Sequence, residues 1–248
     1  MKTSFKILKS NCDKSLAMTE LVREVSENDQ LRADIYQLLA ALLRSQPSAE
    51  LLQFLASLEV DANDDSEMTK AWLSLKLAAN QFSSEQLEEE YFNIFYGVGS
   101  GEIMPYGSWF MTGSLMDKPL ALLRQDLQQL GFEREEDVKE PEDHVAALCE
   151  VMGTLILEAP GYRQLAFYQR HIGSWIERFC TNLAKTPSAA FYATVAQLAK
   201  SFFEVEANEF EQLQLDIPVN CPGSEAEKAE AEKAEAEKIE PTTSELAS

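Results

Sequence analysis

The sequence is short of the residues from which reactive centres are usually built. Its 248 residues include only two histidines, His144 and His171, and four cysteines, Cys12, Cys149, Cys180 and Cys221. No cysteine pair has C-x-x-C spacing and no histidine pair has H-x-x-x-H spacing, so the local zinc signatures are missing. No G-x-S-x-G occurs, which removes the serine elbow of the α/β hydrolases. The scattered cysteines fit free thiols of a reducing compartment better than a disulfide framework. No apolar run approaches the ~20 residues of a membrane span. Lys2, Lys6 and Lys9 precede neither a continuous apolar core nor paired arginines, so no secretory leader is expected and the cytoplasm is the expected location.

Positive charge is also scarce. Lys plus Arg number 21 against 42 Asp plus Glu, for a formal net charge of −21. That balance repels a phosphate backbone and argues against a nucleic-acid partner, while favouring a cationic one. A hydrophobic content of 45% is that of a folded protein. Strand-like alternation of β-branched residues is lacking, which leaves the helix as the main element.

Helical spacing is plentiful. Leu31, Ile35, Leu38, Leu39, Leu42 and Leu43 recur on one face ahead of Pro47, and Ser48 caps a second run through Leu51, Leu52, Leu55 and Leu58. Met68 to Phe82 forms a third run, and Ser83 with Gln86 forms a capping box for a fourth that ends at Gly97. Leu120 to Leu130 follows, entered by Asp117 and Pro119. Glu140-Pro141 is expected to open the next helix, with Pro141 in its first turn. Tyr168 to Leu183 reads as one long helix and Phe191 to Phe203 as the last of the core.

These runs predict an all-α fold, a single globular helical bundle whose two packed halves meet at a hinge near residues 132–140. The domain limits expected are a poorly ordered lead-in over 1–28, a helical domain over 29–218 and an acidic low-complexity tail over 219–248. The tail repeats Glu-Lys-Ala-Glu-Ala and has almost no apolar surface to bury.

The unusual residues collect between Tyr91 and His144. Tyr91, Ile94 and Phe95 lead into Gly97-Val98-Gly99-Ser100-Gly101; then come Pro105, Tyr106, Ser108 and Trp109, and finally Glu140, Pro141, Asp143 and His144. A phosphate-binding reading of the glycines fails on context, because they follow a helix instead of a strand and lack the Lys-Ser/Thr that opens a P-loop helix. It stays as the alternative: a weak GTP-binding switch or hydrolase. Asp143 either caps the amides of its own helix or, with His144, lines a groove walled by aromatics. His171, one turn before Trp175, reads as a core or edge histidine.

The three segments Y-x-x-[IL]-F-x-G, P-Y-x-S-W and E-P-x-D-H, in that order, resemble those of the TorD/DmsD family of redox-enzyme maturation chaperones. The resemblance runs from about Leu31 to Phe203. It implies an all-α cytoplasmic chaperone, not an enzyme, that binds the twin-arginine signal peptide or the apo form of a molybdenum-cofactor oxidoreductase and assists cofactor insertion before export. It implies a peptide-binding surface of Tyr91, Ile94, Phe95, Pro105, Tyr106, Ser108, Trp109, Glu140, Pro141, Asp143 and His144, with Tyr36 as a further aromatic. The implied partner is a molybdoenzyme precursor such as formate dehydrogenase or an S- or N-oxide reductase, and the chain does not say which. No metal or cofactor is implied. Weak GTP binding, and the choice between monomer and domain-swapped dimer, are decided by no residue pattern in the chain.

Overall fold

The computed structural model describes residues 4–7, 25–61, 63–97 and 101–216. Cys12, Cys221, the middle of the glycine loop and the acidic tail lie outside them. Ten helices and two short strands make up the described residues, and none of the helices is long and apolar enough to cross a membrane.

Serines set the first four helix starts. Ser26, Ser48, Ser66 and Ser83 cap α1 (Glu27–Arg44), α2 (Ala49–Ser57), α3 (Glu67–Gln81) and α4 (Ser84–Phe95), each hydroxyl accepting an amide of the first turn. The box of Ser83 with Gln86 is present, and Ser26 makes a second with Asp29. A six-residue α5 (Gly107–Thr112) precedes α6 (Lys118–Gln129), which Asp117 caps. Then follow α7 (Val145–Glu158), α8 (Gly161–His171), α9 (Ile176–Ala184) and α10 (Phe191–Asp216).

Helix α7 is the axis of the molecule. Its residues from Val145 to Gly153 are all buried, including Glu150, because α1 lies along one side and α8 packs on another. A helix apolar nearly all round belongs at the centre of a bundle. Helix α10 closes the far side against α3, α8, α9 and α1, so helices from before and after residues 132–140 share one core. Glu90 of α4 ties that closure down. Its buried carboxylate accepts the amides of Ala190, Phe191 and Tyr192 at 2.9, 3.2 and 2.8 Å, satisfying the otherwise orphaned donors at the start of α10.

Three expectations change. The segment read as a lead-in contains β1 (Phe5–Ile7), which pairs antiparallel with β2 (Phe132–Arg134) in the stretch expected to be a hinge. The helix expected to open at Glu140-Pro141 opens four residues later, with His144 as its cap, because residues 143–145 spend their backbone groups on residues 105–107. The single helix expected from Tyr168 to Leu183 is two. Trp175 donates its indole N–H to the carbonyl of His171 at 2.7 Å, and the amide of Gly173 turns back to Tyr168 at 2.8 Å, so that α8 ends at His171 and α9 starts at Ile176.

Candidate peptide-binding site

Two segments separated by more than thirty residues form one backbone unit. Tyr106 and His144 make an isolated antiparallel bridge, with the Gly107 amide donating to Asp143 O at 2.9 Å and the Val145 amide donating to Pro105 O at 2.8 Å. The Asp143 carboxylate adds a third link, Oδ2 accepting the Ser108 amide at 2.8 Å. Asp143 therefore caps the start of α5 and not its own helix. Its own helix is capped by His144, whose Nδ1 accepts the Ala146 amide at 3.1 Å. Gly107 keeps this approach close: a Cβ at that position would meet the Trp175 indole at 3.3 Å, and the ring would have to yield by a few tenths of an ångström.

The end of α4 reaches the same corner. Tyr96, at the variable position of the first motif, donates to Glu140 Oε1 at 3.3 Å, and His144 Nε2 stands 3.7 Å from Glu140 Oε2. The Tyr106 ring meets the His144 ring edge-on at 5.2 Å. Burial first, then the Glu140, Tyr96 and Asp143 charges and hydroxyls nearby, push the Tyr106 phenol up to about 12. All three motifs thus converge on the Glu140 carboxylate.

Exposure divides the candidate residues into two sets. Trp109 is 43% exposed, Tyr106, Glu140 and Pro141 are half-buried, and Tyr96 and Phe92, stacked at 6.3 Å, are both exposed. These can touch a ligand. Ile94, Ser108, Asp143, His144, Tyr91, Phe95 and Pro105 are buried and act as framework. Tyr91 donates to the Arg44 carbonyl at 2.6 Å, and Phe95 packs on Tyr91 and Tyr192. Tyr36 has no exposed surface and lies between Phe202 and Phe203, so it offers nothing to a ligand. Tyr96 was the residue missed. Its place inside the first motif was visible, but an unassigned motif position gives no reason to be chosen.

Burial, with Arg44 adding to it, pushes the His144 imidazole down to about 3. Since Nδ1 accepts a hydrogen bond, the proton of the neutral ring sits on Nε2, towards Glu140. The unfolded chain, with an ordinary histidine pKa near 6.5, takes up a proton that the folded one refuses. Stability from this group is full above about pH 6.5 and falls as the pH drops towards 3, by about 2 kcal/mol between pH 7 and pH 5. His144→Asn keeps an acceptor for Ala146 and removes the titration. Urea midpoints at pH 7 and pH 5 should differ less in that variant than in the parent, with His171, also lowered by burial against the pull of Asp126, contributing equally to both.

The glycine loop shows no phosphate cradle among its described residues. Gly97 ends α4 with φ 59°, and a Cβ on Gly101 would meet the Phe95 and Ile94 carbonyl groups at 2.5–2.7 Å. Gly101 is there to let the chain pass over the end of α4, which presents carbonyl oxygens where a phosphate needs donors. His171, read as a core histidine, is buried with Nε2 2.6 Å from Asp126 Oδ2. Cys149 and Cys180 are free and buried, their thiols pushed up by burial.

A family model described as nitrate reductase delta subunit matches residues 61–181, a span that contains all three motifs. Chaperone protein TorD of Vibrio parahaemolyticus is 24% identical over 209 residues, covering 75% of this chain and 97% of its own. TorD of Aliivibrio fischeri is 26% identical over 208 residues with the same coverage. A redox enzyme maturation protein of Archaeoglobus fulgidus superposes on 75% of this chain and 99% of its own with a TM-score of 0.50 and 18% identity, which shows a shared all-helical fold.

Proposed function

We propose, from the premise that this chain is a homologue of the TorD chaperones, that it is a maturation chaperone for a molybdoenzyme precursor and grips that precursor by its twin-arginine leader. It is a chaperone and not an enzyme, as its homologues are. The observation that carries the leader-binding reading is the convergence of three sequence-distant motifs on one partly exposed carboxylate, Glu140, beside Tyr96 and Tyr106. A guanidinium has five donors in a fixed fork and stacks on aromatic faces. Glu140 supplies the acceptor and the tyrosines supply the faces. Trp109, on the helix that Asp143 caps, presents apolar surface for the stretch that follows the arginines. The chain's excess of acid steers such a ligand towards it. The client is an oxidoreductase that receives a molybdenum cofactor in the cytoplasm before export.

Calorimetric titration with a synthetic peptide of two arginines followed by an apolar stretch tests this. Saturable binding that weakens with salt is expected. Trp109→Ala should reduce affinity about 30-fold, the cost of a central aromatic anchor. Its melting temperature should stay that of the parent, because the side chain is half in solvent. Absence of saturable binding, or binding indifferent to Trp109→Ala, would dispose of the reading.

A further inference from the structure

Strand β1 sits against the motif corner as a ligand would. The Ser4 amide donates to Glu150 Oε2 at 2.8 Å, and Ser4 O accepts the Glu135 amide at 2.9 Å. The Phe5 ring lies edge-on to Phe132 at 6.1 Å, and Lys6 pairs with Glu133 at 3.2 Å. Ser4 and Phe5 close over Glu140, Pro141, Glu142 and His144, leaving no room for a water molecule between. The underside of the third motif is thus already covered, by this chain itself.

What covers it has a particular chemistry. In a chain with twice as many acids as bases, residues 1–9 carry Lys2, Lys6 and Lys9 among Phe5, Ile7 and Leu8, and no acid. A short segment alternating basic and apolar residues is the same class of molecule as the leader proposed above. It is also held lightly. The ladder is three residues long, and the Lys6 and Glu133 side chains are 43% and 52% exposed, so that their pairing contributes little.

We propose that β2, Glu150 and the Glu140 to His144 corner form an acceptor for an extended cationic segment, that β1 is its resident occupant, and that the client's leader binds by displacing β1. This rests on the leader-binding reading. Strand addition to β2 supplies the backbone pairing, Glu133 meets a basic side chain where Lys6 now stands, and Glu150 receives a backbone N–H. The chaperone then has an occupied and an open state, and its apparent affinity is its intrinsic affinity multiplied by the open fraction.

The test compares the full chain, a chain lacking residues 1–8, and a full-length Lys6→Cys/Glu133→Cys variant, whose cysteines face each other in the β1–β2 register. The probe is the same synthetic arginine-pair peptide. Truncation should tighten binding about fivefold or more, and oxidising the cysteine pair should weaken it about tenfold with recovery on reduction. A truncated chain that keeps its helical circular dichroism yet binds no tighter overturns the proposal. If truncation unfolds the chain, the cysteine pair decides: affinity unchanged on oxidation overturns it. If the probe binds no form, the leader reading fails. The acceptor is then judged by a peptide of residues 1–9 added to the truncated chain, where saturable binding supports it and none overturns it.

Discussion

Arg32→Ala should destabilise the protein by about 3–5 kcal/mol, the cost of stranding a buried charge. Arg32 on α1 and Glu206 on α10 form a two-pronged pair, Nε to Oε1 at 2.6 Å and Nη2 to Oε2 at 3.0 Å. Glu206 has no exposed surface, and the guanidinium also lies over the Phe210 ring at 5.3 Å and beside Asp29. Removing the arginine leaves the carboxylate with neither water nor counter-charge. The melting temperature should fall by about 10 °C in a chain of this length. Replacing both partners, Arg32→Met with Glu206→Leu, should recover most of the loss, because the Glu206 charge is then no longer stranded. Urea midpoints of the parent, the single and the double variant check this. A single variant within about 1 kcal/mol of the parent would show that the pair does not hold α1 to α10.

The second large effect concerns Asp143. Asp143→Ala should cost about 2–3 kcal/mol, because the buried Ser108 amide loses its acceptor and α5 loses its anchor to the third motif. Asp143→Asn should restore most of this. Its carbonyl oxygen can take the Ser108 amide, and it removes a charge whose other oxygen, Oδ1, has no hydrogen-bond partner. Thermal melts separate the two variants, and peptide titration adds the functional half. The asparagine variant should bind the arginine-pair peptide as the parent does, whereas Glu140→Gln should weaken it. Loss of binding in a stable Asp143→Asn protein would return the arginine seat to Asp143 and refute the role given to Glu140.

The different surroundings of Asp143 and Glu140, both in the third motif, show where sequence reading ends. The helices were legible because leucine spacing, serine caps and the Ser83 to Gln86 box are local signals, and they mark α1 to α4 within a few residues. That P-Y-x-S-W and E-P-x-D-H belong together was legible from the resemblance, and the bridge between Tyr106 and His144 joins them. Which side chains face outward was not. Motifs hold both the residues that touch a ligand and those that hold them in place, and only burial separates Trp109 from Ser108. The missed start of α7 has the same cause, since proline and acid near Glu140 are helix-opening signals that a long-range backbone pairing overrides. The break at Trp175 depends on a hydrogen bond from an indole, which no periodicity carries.

The three amides that Glu90 receives come from the first turn of the last described helix, and that helix also covers α1 and α3. During synthesis on the ribosome, α1, α3 and α4 are therefore complete long before the element that seals them emerges. Until α10 clears the exit tunnel, the Glu90 carboxylate and the flank of α3 that α10 covers lack the partners they have in the finished fold. The chain thus passes through an unfinished state of its own before its last described helix is in place.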